Sequence, residues 1–406
     1  MDPNEILTAL LSPEGRADPY PLYAALHEHG EVIAQDAFAL VPGYDAVNGV
    51  LRDPAFRVLD AARYDELMPA WRDHPSLSAD GILNLNPPQH GRVRGLISRE
   101  FTQRRVAGLA PAVSAMTDRL LDDMADRGAD GSPVEFMHDF AFLLPVTVIC
   151  ELIGIPEADR ETFRPLARAL VAALEPATMT EQQWAEADAA AVWLNESFSD
   201  LAAERRALPR DDLISALVGI HDSADGRLSN SELQDNLGLL LVAGFETTAN
   251  LLGNGLRIIL DSPALGPQLA SGELAVAGFV DEVLRYDSPV QVTSRRSAEP
   301  ASVGGHPVPA NYEILLFLAA ANRDARRFPA PEVFQADRAD GPPLSFGGGA
   351  HFCLGSALAR LEAGLAFPKI VSRFPGITAA GEPVRKDGLV LRGFESMPVR
   401  VARLTS

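Results

Sequence analysis

The residue best placed for unusual chemistry is Cys353, in the run Phe346-Gly347-Gly348-Gly349-Ala350-His351-Phe352-Cys353-Leu354-Gly355. A free cysteine is ordinarily a small buried hydrophobe, so its surroundings decide whether it is more. Here the glycines let the backbone fold tightly and approach another group closely. Main-chain N–H groups in such a loop are able to point at the sulfur, and a helix is expected directly afterwards, over 356–374. The positive end of a helix favours thiolate over thiol. Gly355 removes a side chain where a flat cofactor would press. A thiolate without companion cysteines cannot by itself hold an iron–sulfur cluster. It is able to serve as the single proximal ligand of haem iron, donating electron density that favours O–O cleavage. The competing chemistry is a nucleophilic cysteine with His351 as its base, which leaves the phenylalanine and glycine floor without a purpose.

Two further groups carry chemistry-bearing residues at helical spacing. Ala243-Gly244-Phe245-Glu246-Thr247-Thr248 interrupts an otherwise apolar stretch. Glycine and threonine there are poor helix formers, and the bland reading is a polar kink in a core helix. Glu282 and Arg285 are three apart and share one helix face. As an exposed pair they would contribute almost nothing. A haem also brings two propionates, which need cationic or hydrogen-bond-donating partners. His90 and Arg94, four apart in "PPQHGRVR", lie on one face of a helix start. Arg295 and Arg296 in "TSRRSAE" point to opposite faces if the segment is a strand. The spacing to Ala298 and Glu299 favours Arg295, with Arg296 as rival. The remaining histidines (His27, His29, His74, His138, His221, His306) lack such context and are expected at the surface.

The elements that must position these residues are mostly helices. A helix is expected over 21–28, a hairpin over 31–43, a loop-rich stretch over 54–86, and helix over 89–126 with breaks near Phe101 and Pro111. Residues 140–154 are strongly apolar and stop at Pro156. Two helices, 157–174 and 181–207, flank the turn "EPATMT". The longest helix spans 230–261, with Ser229 or Asn230 as its cap. It is apolar nearly all round from Leu237 to Leu252, as a centrally buried helix should be. A helix over 274–286, strands over 290–297 and 312–317, and a strand-like tail over 387–403 complete the chain. There is no low-complexity linker and no solenoid repeat. The expected fold class is mainly α, a single large helical domain over 1–406 with small β-sheets.

Composition narrows the function classes. The 406 residues carry a formal charge of −20, from 35 Lys+Arg against 55 Asp+Glu, which disfavours nucleic acid and anionic membrane as general partners. A basic patch over 99–105 is a local exception. Two cysteines, Cys150 and Cys353, cannot build a disulfide framework and fit a reducing cytosol. No apolar run approaches the roughly 18 residues needed to span a bilayer, and the acidic start is unlike a signal peptide. The expectation is a cytoplasmic monomer.

The Cys353 loop resembles the haem-binding signature of the cytochrome P-450 family, Phe-Gly-x-Gly-x-His-x-Cys-x-Gly, at every fixed position. Residues 243–248 resemble that family's oxygen-activation segment, and Glu282-Val283-Leu284-Arg285 its Glu-x-x-Arg pair, in the same order along nearly the whole chain, 19–401. The resemblance implies haem b (iron protoporphyrin IX) between the long helix and the Cys353 loop with the helix after it. Cys353 would ligate iron. Phe346, Gly347, Gly355, Ala243 and Gly244 would surround the macrocycle, Gly244 leaving room for dioxygen. His90, Arg94, Arg295 and His351 would hold the propionates. Glu246 and Thr247 would be the acid–alcohol pair delivering protons for O–O cleavage, worth roughly 100- to 10,000-fold, with Thr248 structural. Glu282 and Arg285 would be buried for folding and haem retention, with Arg338 as candidate third partner.

The implied activity is monooxygenation of a hydrophobic small molecule by O2, with hydroxylation or epoxidation of a polyketide or macrolide in antibiotic biosynthesis as the family-level expectation. Lacking a dinucleotide fingerprint, the chain would take electrons from a ferredoxin and its NAD(P)H-dependent reductase, docking near Arg104, Arg105 and Arg360. Substrate walls would come from the 60–86 and 160–200 segments and from Leu83, Leu85, Val171, Leu240, Ala243, Val290, Val292, Phe394 and the turn after it. The alternatives are oxidative coupling, peroxide-driven oxidation, or a haem sensor or carrier without turnover. The last would have no need of Glu246 and Thr247.

Overall fold

A computed structural model describes residues 1–77, 80–175, 179–222 and 228–401. Helices dominate, as the 3.6-residue apolar spacing requires. The longest, Asn230–Asp261, is opened by Ser229. The Glu232 N–H donates to Ser229 Oγ at 3.1 Å, and the Ser229 N–H to Glu232 Oε2 at 2.8 Å. This reciprocal box settles Ser229 as the cap. Leu237, Leu241, Phe245, Ala249 and Leu252 are all buried and line one face of the helix.

The expected 89–126 stretch is Gln89–Ile97, a 3-10 turn Ser98–Phe101, then Gln103–Gly108 and Ala110–Arg127. Pro111 falls in the first turn of the last of these, where its missing N–H costs no bond. Residues 140–154 become a π-turn, Met137–Ala141, followed by Leu143–Ile153. The two helices around "EPATMT" are Arg160–Val171 and Glu181–Ala207. Positions 176–178 of that turn lie outside the described residues.

Several elements differ from expectation. Within the loop-rich 54–86 stretch Asp60 caps a short helix, Ala61–Leu67, and a 3-10 turn follows at Pro69–Asp73. Pro3–Leu10, Pro13–Ala17, Leu213–His221, Leu265–Ser271 and the hairpin Ala301–Val303/His306–Val308 were not anticipated. Each is too short to establish a period before it ends. Val290 forms only an isolated bridge to Leu391, and its strand begins at Thr293.

The chain divides into two compact units, with the boundary inside the long helix between Glu246 and Thr247. The first comprises 1–57, 107–144 and 247–406. Its five-stranded sheet runs Ile33–Ala34, Phe38–Val41, Glu313–Leu316, Thr293–Ser297, Phe56–Arg57, with one parallel pairing (Phe38 opposite Glu313). Alternation along the strands feeds two cores. Ala39, Val41, Ile314 and Leu316 join Tyr44, Val47 and Phe328, while Ile33 and Leu40 join Ile6, Leu10 and Tyr23. In the same unit the helix Ser356–Arg373 packs on Ala110–Arg127, braced by Lys369–Asp118 at 2.6 Å and Arg373–Asp122 at 2.7 Å. Phe367 packs so tightly on the long helix that a Cβ at Gly255 would lie 2.2 Å from its ring.

The second unit comprises 58–106 and 145–246. Arg160–Val171 packs on Glu181–Ala207, with Phe163 against Trp193 and Phe198. Arg205 is fully buried there, bonded to Asp212 Oδ2 and the Gly154 carbonyl, both at 2.7 Å. Among the described residues no helix is long and apolar enough to cross a membrane.

Candidate functional site

The Cys353 loop is closed by its own backbone. The Gly347 N–H donates to Leu344 O at 2.8 Å, Phe352 N–H to Gly349 O at 3.1 Å, and Cys353 N–H to Phe346 O at 2.9 Å. Its glycines have separable reasons. Gly347 (φ +68°) and Gly349 (φ +63°) are left-handed, which glycine adopts without strain. A Cβ on Gly349 would also lie 2.1 Å from Leu51 O. Gly348 is extended, and a Cβ there would make only ordinary contact with Leu51, 3.4 Å away. Gly355, just before the helix Ser356–Arg373, has φ −83°, and a Cβ there would meet nothing within 4 Å. Neither conformation nor protein packing demands that glycine, whereas a flat group lying on it would. Cys353 is half-buried and forms no disulfide. Phe346 lies under the Arg360 guanidinium, 4.5 Å from its ring centroid, and His351 ends the short 3-10 turn Gly349–His351.

Arg295 and Arg296 separate as strand geometry predicts. Arg295 pairs opposite Ile314, and Arg296 opposite Glu313, on the other face. Arg296 donates to Asn311 Oδ1 at 2.5 Å. Arg295 is buried, and among the described residues no carboxylate pairs with it; its bonds go to Ser294 O (2.6 Å) and Thr293 Oγ1 (3.4 Å). Burial pulls its pKa down to about 10, still cationic at neutral pH. A buried guanidinium without an acid is the environment a propionate would complete. It fits the haem that the cysteine loop implies.

On the long helix Ala243 is exposed although Val242, Phe245, Glu246 and Thr248 are buried. Thr247 is half-buried. At Gly244 the direction a Cβ would take is filled by Ile149, 2.7 Å away. On that side the glycine provides close helix packing rather than open room. His90 and Arg94 share the helix Gln89–Ile97, His90 buried and Arg94 half-buried. That helix is fastened to the start of the long helix by Arg92, which pairs with both oxygens of Glu232.

Glu282 and Arg285 form a buried two-pronged pair, Nε to Oε2 and Nη2 to Oε1, both 2.7 Å. Arg338 is the third partner, Nε to Glu282 Oε1 at 3.1 Å, and the Gln335 N–H adds a fourth donor at 2.8 Å. Arg285 also holds the carbonyls of Asn322 (3.0 Å) and Pro331 (2.9 Å), so the cluster ties the irregular 322–338 segment together.

His27 and His74, expected at the surface, are half-buried and held by partners. His27 Nε2 meets Ala320 O at 2.9 Å, and burial lowers its pKa despite that contact. His74 bonds Asp188 at 2.8 Å and stacks on Trp184 at 4.1 Å. Of the candidate substrate walls, Phe394 is fully buried beneath Arg385, and Val292 belongs to a core cluster, so both are packing residues. Leu83 is 49% exposed, and Leu85 and Val171 are half-buried. Among the candidate docking arginines, Arg105 is engaged by Glu100 and Asp211, and Arg360 by Asp281. Arg104 is exposed.

Sequence reasoning passed over Glu362. It is completely buried in the helix Ser356–Arg373, and its Oε2 has no hydrogen-bond partner among the described residues. Burial raises its pKa well above the ordinary 4.5. Its position four residues from Leu358, Ala366 and onward to Ile370, all buried, was a legible signal.

Comparison with known proteins places this geometry. The family model for cytochrome P-450 matches residues 276–391. The cytochrome P-450 monooxygenase PikC of Streptomyces venezuelae is 37% identical over 95% of this chain and 92% of its own. The 6-deoxyerythronolide B hydroxylase of Saccharopolyspora erythraea is 35% identical over 95% of this chain and 96% of its own. The crystal structure of Mycobacterium smegmatis CYP164A2 with econazole bound superposes with a TM-score of 0.88 at 37% identity, covering 98% of this chain and all of that one.

Proposed function

The chain belongs to the cytochrome P-450 family, and on that footing we propose how its residues divide the work. It is a monooxygenase using haem, O2 and a redox partner to hydroxylate a hydrophobic secondary metabolite. The observation that carries the assignment of roles is the Cys353 loop: a half-buried, unbridged thiol on a turn built from two left-handed glycines, directly before a helix. When bound there as haem b, the cofactor supplies the site at which dioxygen is reduced and its O–O bond broken.

The protein's own residues do the rest. Cys353 would hold the haem iron through its sulfur, and its place before a helix N-terminus favours the thiolate form. Arg295 holds a propionate, because among the described residues its buried charge otherwise lacks an acid; His90, Arg94 and His351 are the further propionate contacts. Phe346, Gly347, Gly355 and Ala243 line the macrocycle, with Gly355 giving it contact without a side chain between. Thr247 Oγ1 donates a hydrogen bond at the oxygen-binding position. Glu246, buried beside it in sequence, relays protons that an apolar pocket would otherwise lack. Glu282, Arg285 and Arg338 hold the fold around the cofactor and take no part in the chemistry.

The substrate is of polyketide or macrolide type, in line with the relative named for hydroxylating 6-deoxyerythronolide B. Electrons come from a ferredoxin and its NAD(P)H-dependent reductase, and the exposed Arg104 is the docking cation, since Arg105 and Arg360 are already paired. The two unbridged cysteines suit a cytosolic monomer. The one-domain reading rests on the long helix running unbroken through the boundary of the two units. The test is the reduced, carbon-monoxide-bound spectrum. The unaltered protein is expected to give the red-shifted Soret band of sulfur-ligated haem, and Cys353→His to lose it. An ordinary, unshifted band in the unaltered protein would overturn the assignment.

A further inference from the structure

The helix that leaves the Cys353 loop, Ser356–Arg373, carries a stripe at seven-residue intervals: Gly355 at its cap, then Glu362, then Lys369. Residues seven apart lie on one helix face. A Cβ on Gly355 would meet nothing within 4 Å, and the flat cofactor is assigned to that side. At the far end Lys369 is engaged by Asp118 at 2.6 Å and by Ser114 O at 3.2 Å. Between the two, Glu362 is completely buried, and its Oε2 has no partner among the described residues.

The charges on the elements packed against this helix are occupied elsewhere. Ala110–Arg127 presents Asp118 and Asp122, held by Lys369 and Arg373; its Arg119, Asp123, Asp126 and Arg127 are exposed. Val276–Tyr286 presents Asp281, held by Arg360, the mutually paired Glu282 and Arg285, and Tyr286, covered by the Arg323 guanidinium. Leu265–Ser271 has no ionisable residue. On the long helix Arg257 pairs with Asp261, and Glu246 is itself an acid. The helical neighbours of Glu362, namely Leu358, Ala359, Leu365 and Ala366, are apolar. Among the described residues no cation therefore offsets a charge on Glu362, and burial alone raises its pKa.

An apolar side chain of like size would fill this position without the penalty of desolvating an acid. Buried ionisable groups of this kind cluster where a proton has a task. Two helical turns, about 11 Å, separate Glu362 from Gly355, and helical Cα–Cβ bonds tilt toward the N-terminus, here toward Gly355. At that separation and an effective dielectric of about 20, one unit charge shifts the equilibrium of another by roughly tenfold.

We infer that Glu362 is a redox-linked acid, its carboxylate taking one proton from solvent when the haem-loaded protein accepts one electron. The inference rests on the haem-thiolate reading for the identity of the electron acceptor. A one-electron donor of the ferredoxin class is oxidised, a proton from water forms the O–H bond of the acid, and no other bond breaks. Glu362 touches no reacting atom and acts through its charge. The sign follows from linkage. While the acid is neutral before and after reduction, it leaves the potential alone. Once pH rises past the point at which the oxidised protein loses that proton, the anion opposes the electron and the potential falls.

The experiment compares reduction potentials of the haem-loaded protein and of Glu362→Gln by dye-mediated titration, from about pH 6 to about pH 9. The propionates and the histidines assigned to them titrate in both proteins and cancel in the difference. Relative to the variant, the unaltered potential is expected to fall with rising pH by about tenfold in the reduced-to-oxidised ratio overall, or about 59 mV for one electron. Redox-difference infrared spectra at the alkaline end should show a protonated-carboxyl stretch appearing on reduction. Isotope-labelled glutamate should move that band, which separates it from the propionates, and Glu362→Gln should abolish it.

A constant offset between the two potentials at every pH overturns the proposal and leaves Glu362 a packing residue. So does the absence of a glutamate band on reduction of the unaltered protein. Should Glu362→Gln fail to retain haem, Glu362→Met takes its place, and if both fail the labelled band in the unaltered protein decides. Absence of the thiolate carbon monoxide band would defeat the functional reading instead, while the potential difference still judges the acid.

Discussion

Replacing Glu362 by glutamine should make the protein more tolerant of alkaline conditions. Glu362 is completely buried, and its Oε2 has no partner among the described residues, so desolvation raises its pKa well above 4.5. The native state therefore retains a proton that the unfolded chain releases. With a raised folded value, the acid's contribution to stability is fully present below about pH 4.5 and is lost as pH rises toward the folded value. Within that window the loss is about 1.4 kcal/mol per pH unit. Set against a typical total of roughly 5–15 kcal/mol, two pH units are a substantial fraction.

Glutamine has the shape of the protonated acid and does not titrate. Urea unfolding of the haem-loaded protein and of Glu362→Gln, followed by far-UV circular dichroism at several pH values from 5 to 8, reads the difference directly. The two should be within about 1 kcal/mol near pH 5, the scale of one neutral hydrogen bond. The variant should then gain on the unaltered protein with each further pH unit, by at most the linkage slope. Parallel pH dependence would refute the reasoning, because it would mean that the native carboxyl ionises as readily as the unfolded one. So would a glutamine variant less stable by the same amount at every pH.

Other changes probe the remaining assignments. Glu282→Ala strands the buried guanidiniums of Arg285 and Arg338 and should cost about 3–5 kcal/mol; a urea midpoint near that of the unaltered protein would show that the cluster is dispensable. Arg295→Leu should lower haem retention, measured as the ratio of Soret to protein absorbance after gel filtration, and Arg296→Leu should leave it intact; the reverse order would transfer the propionate role to Arg296. In Thr247→Ala, NAD(P)H consumption should stay within about twofold while product falls roughly tenfold or more and peroxide appears, the scale of a lost proton-delivery contact. Full coupling in that variant would remove Thr247 from the proton path.

Much of this was legible in the chain because it is local. The Cys353 loop is a string of consecutive residues whose glycines answer to backbone conformation and close approach, and those demands are written in residue type. The long helix was legible from thirty-two residues of sustained period, and its cap from the residue pair Ser229 and Glu232. Arg338 was foreseen as third partner of Glu282 through the family resemblance, and the geometry bears it out.

What tertiary structure alone decided is which surfaces meet. Sequence period says that Gly244 lies on a crowded helix but not that Ile149 fills its Cβ direction. It ranks Phe394 and Leu83 together as apolar, although one is packed under Arg385 and the other is held outward. His74 looks like any surface histidine until a segment more than a hundred residues away brings Asp188 and Trp184 to it. The two arginines of the Thr293–Ser297 strand are chemically identical. Burial without an acid, a property of the assembled sheet, separates Arg295 from its neighbour. Residue type and spacing dictate conformation and the chemistry a group is capable of. Desolvation and partnership, which decide whether it is exercised, depend on atoms far away along the chain.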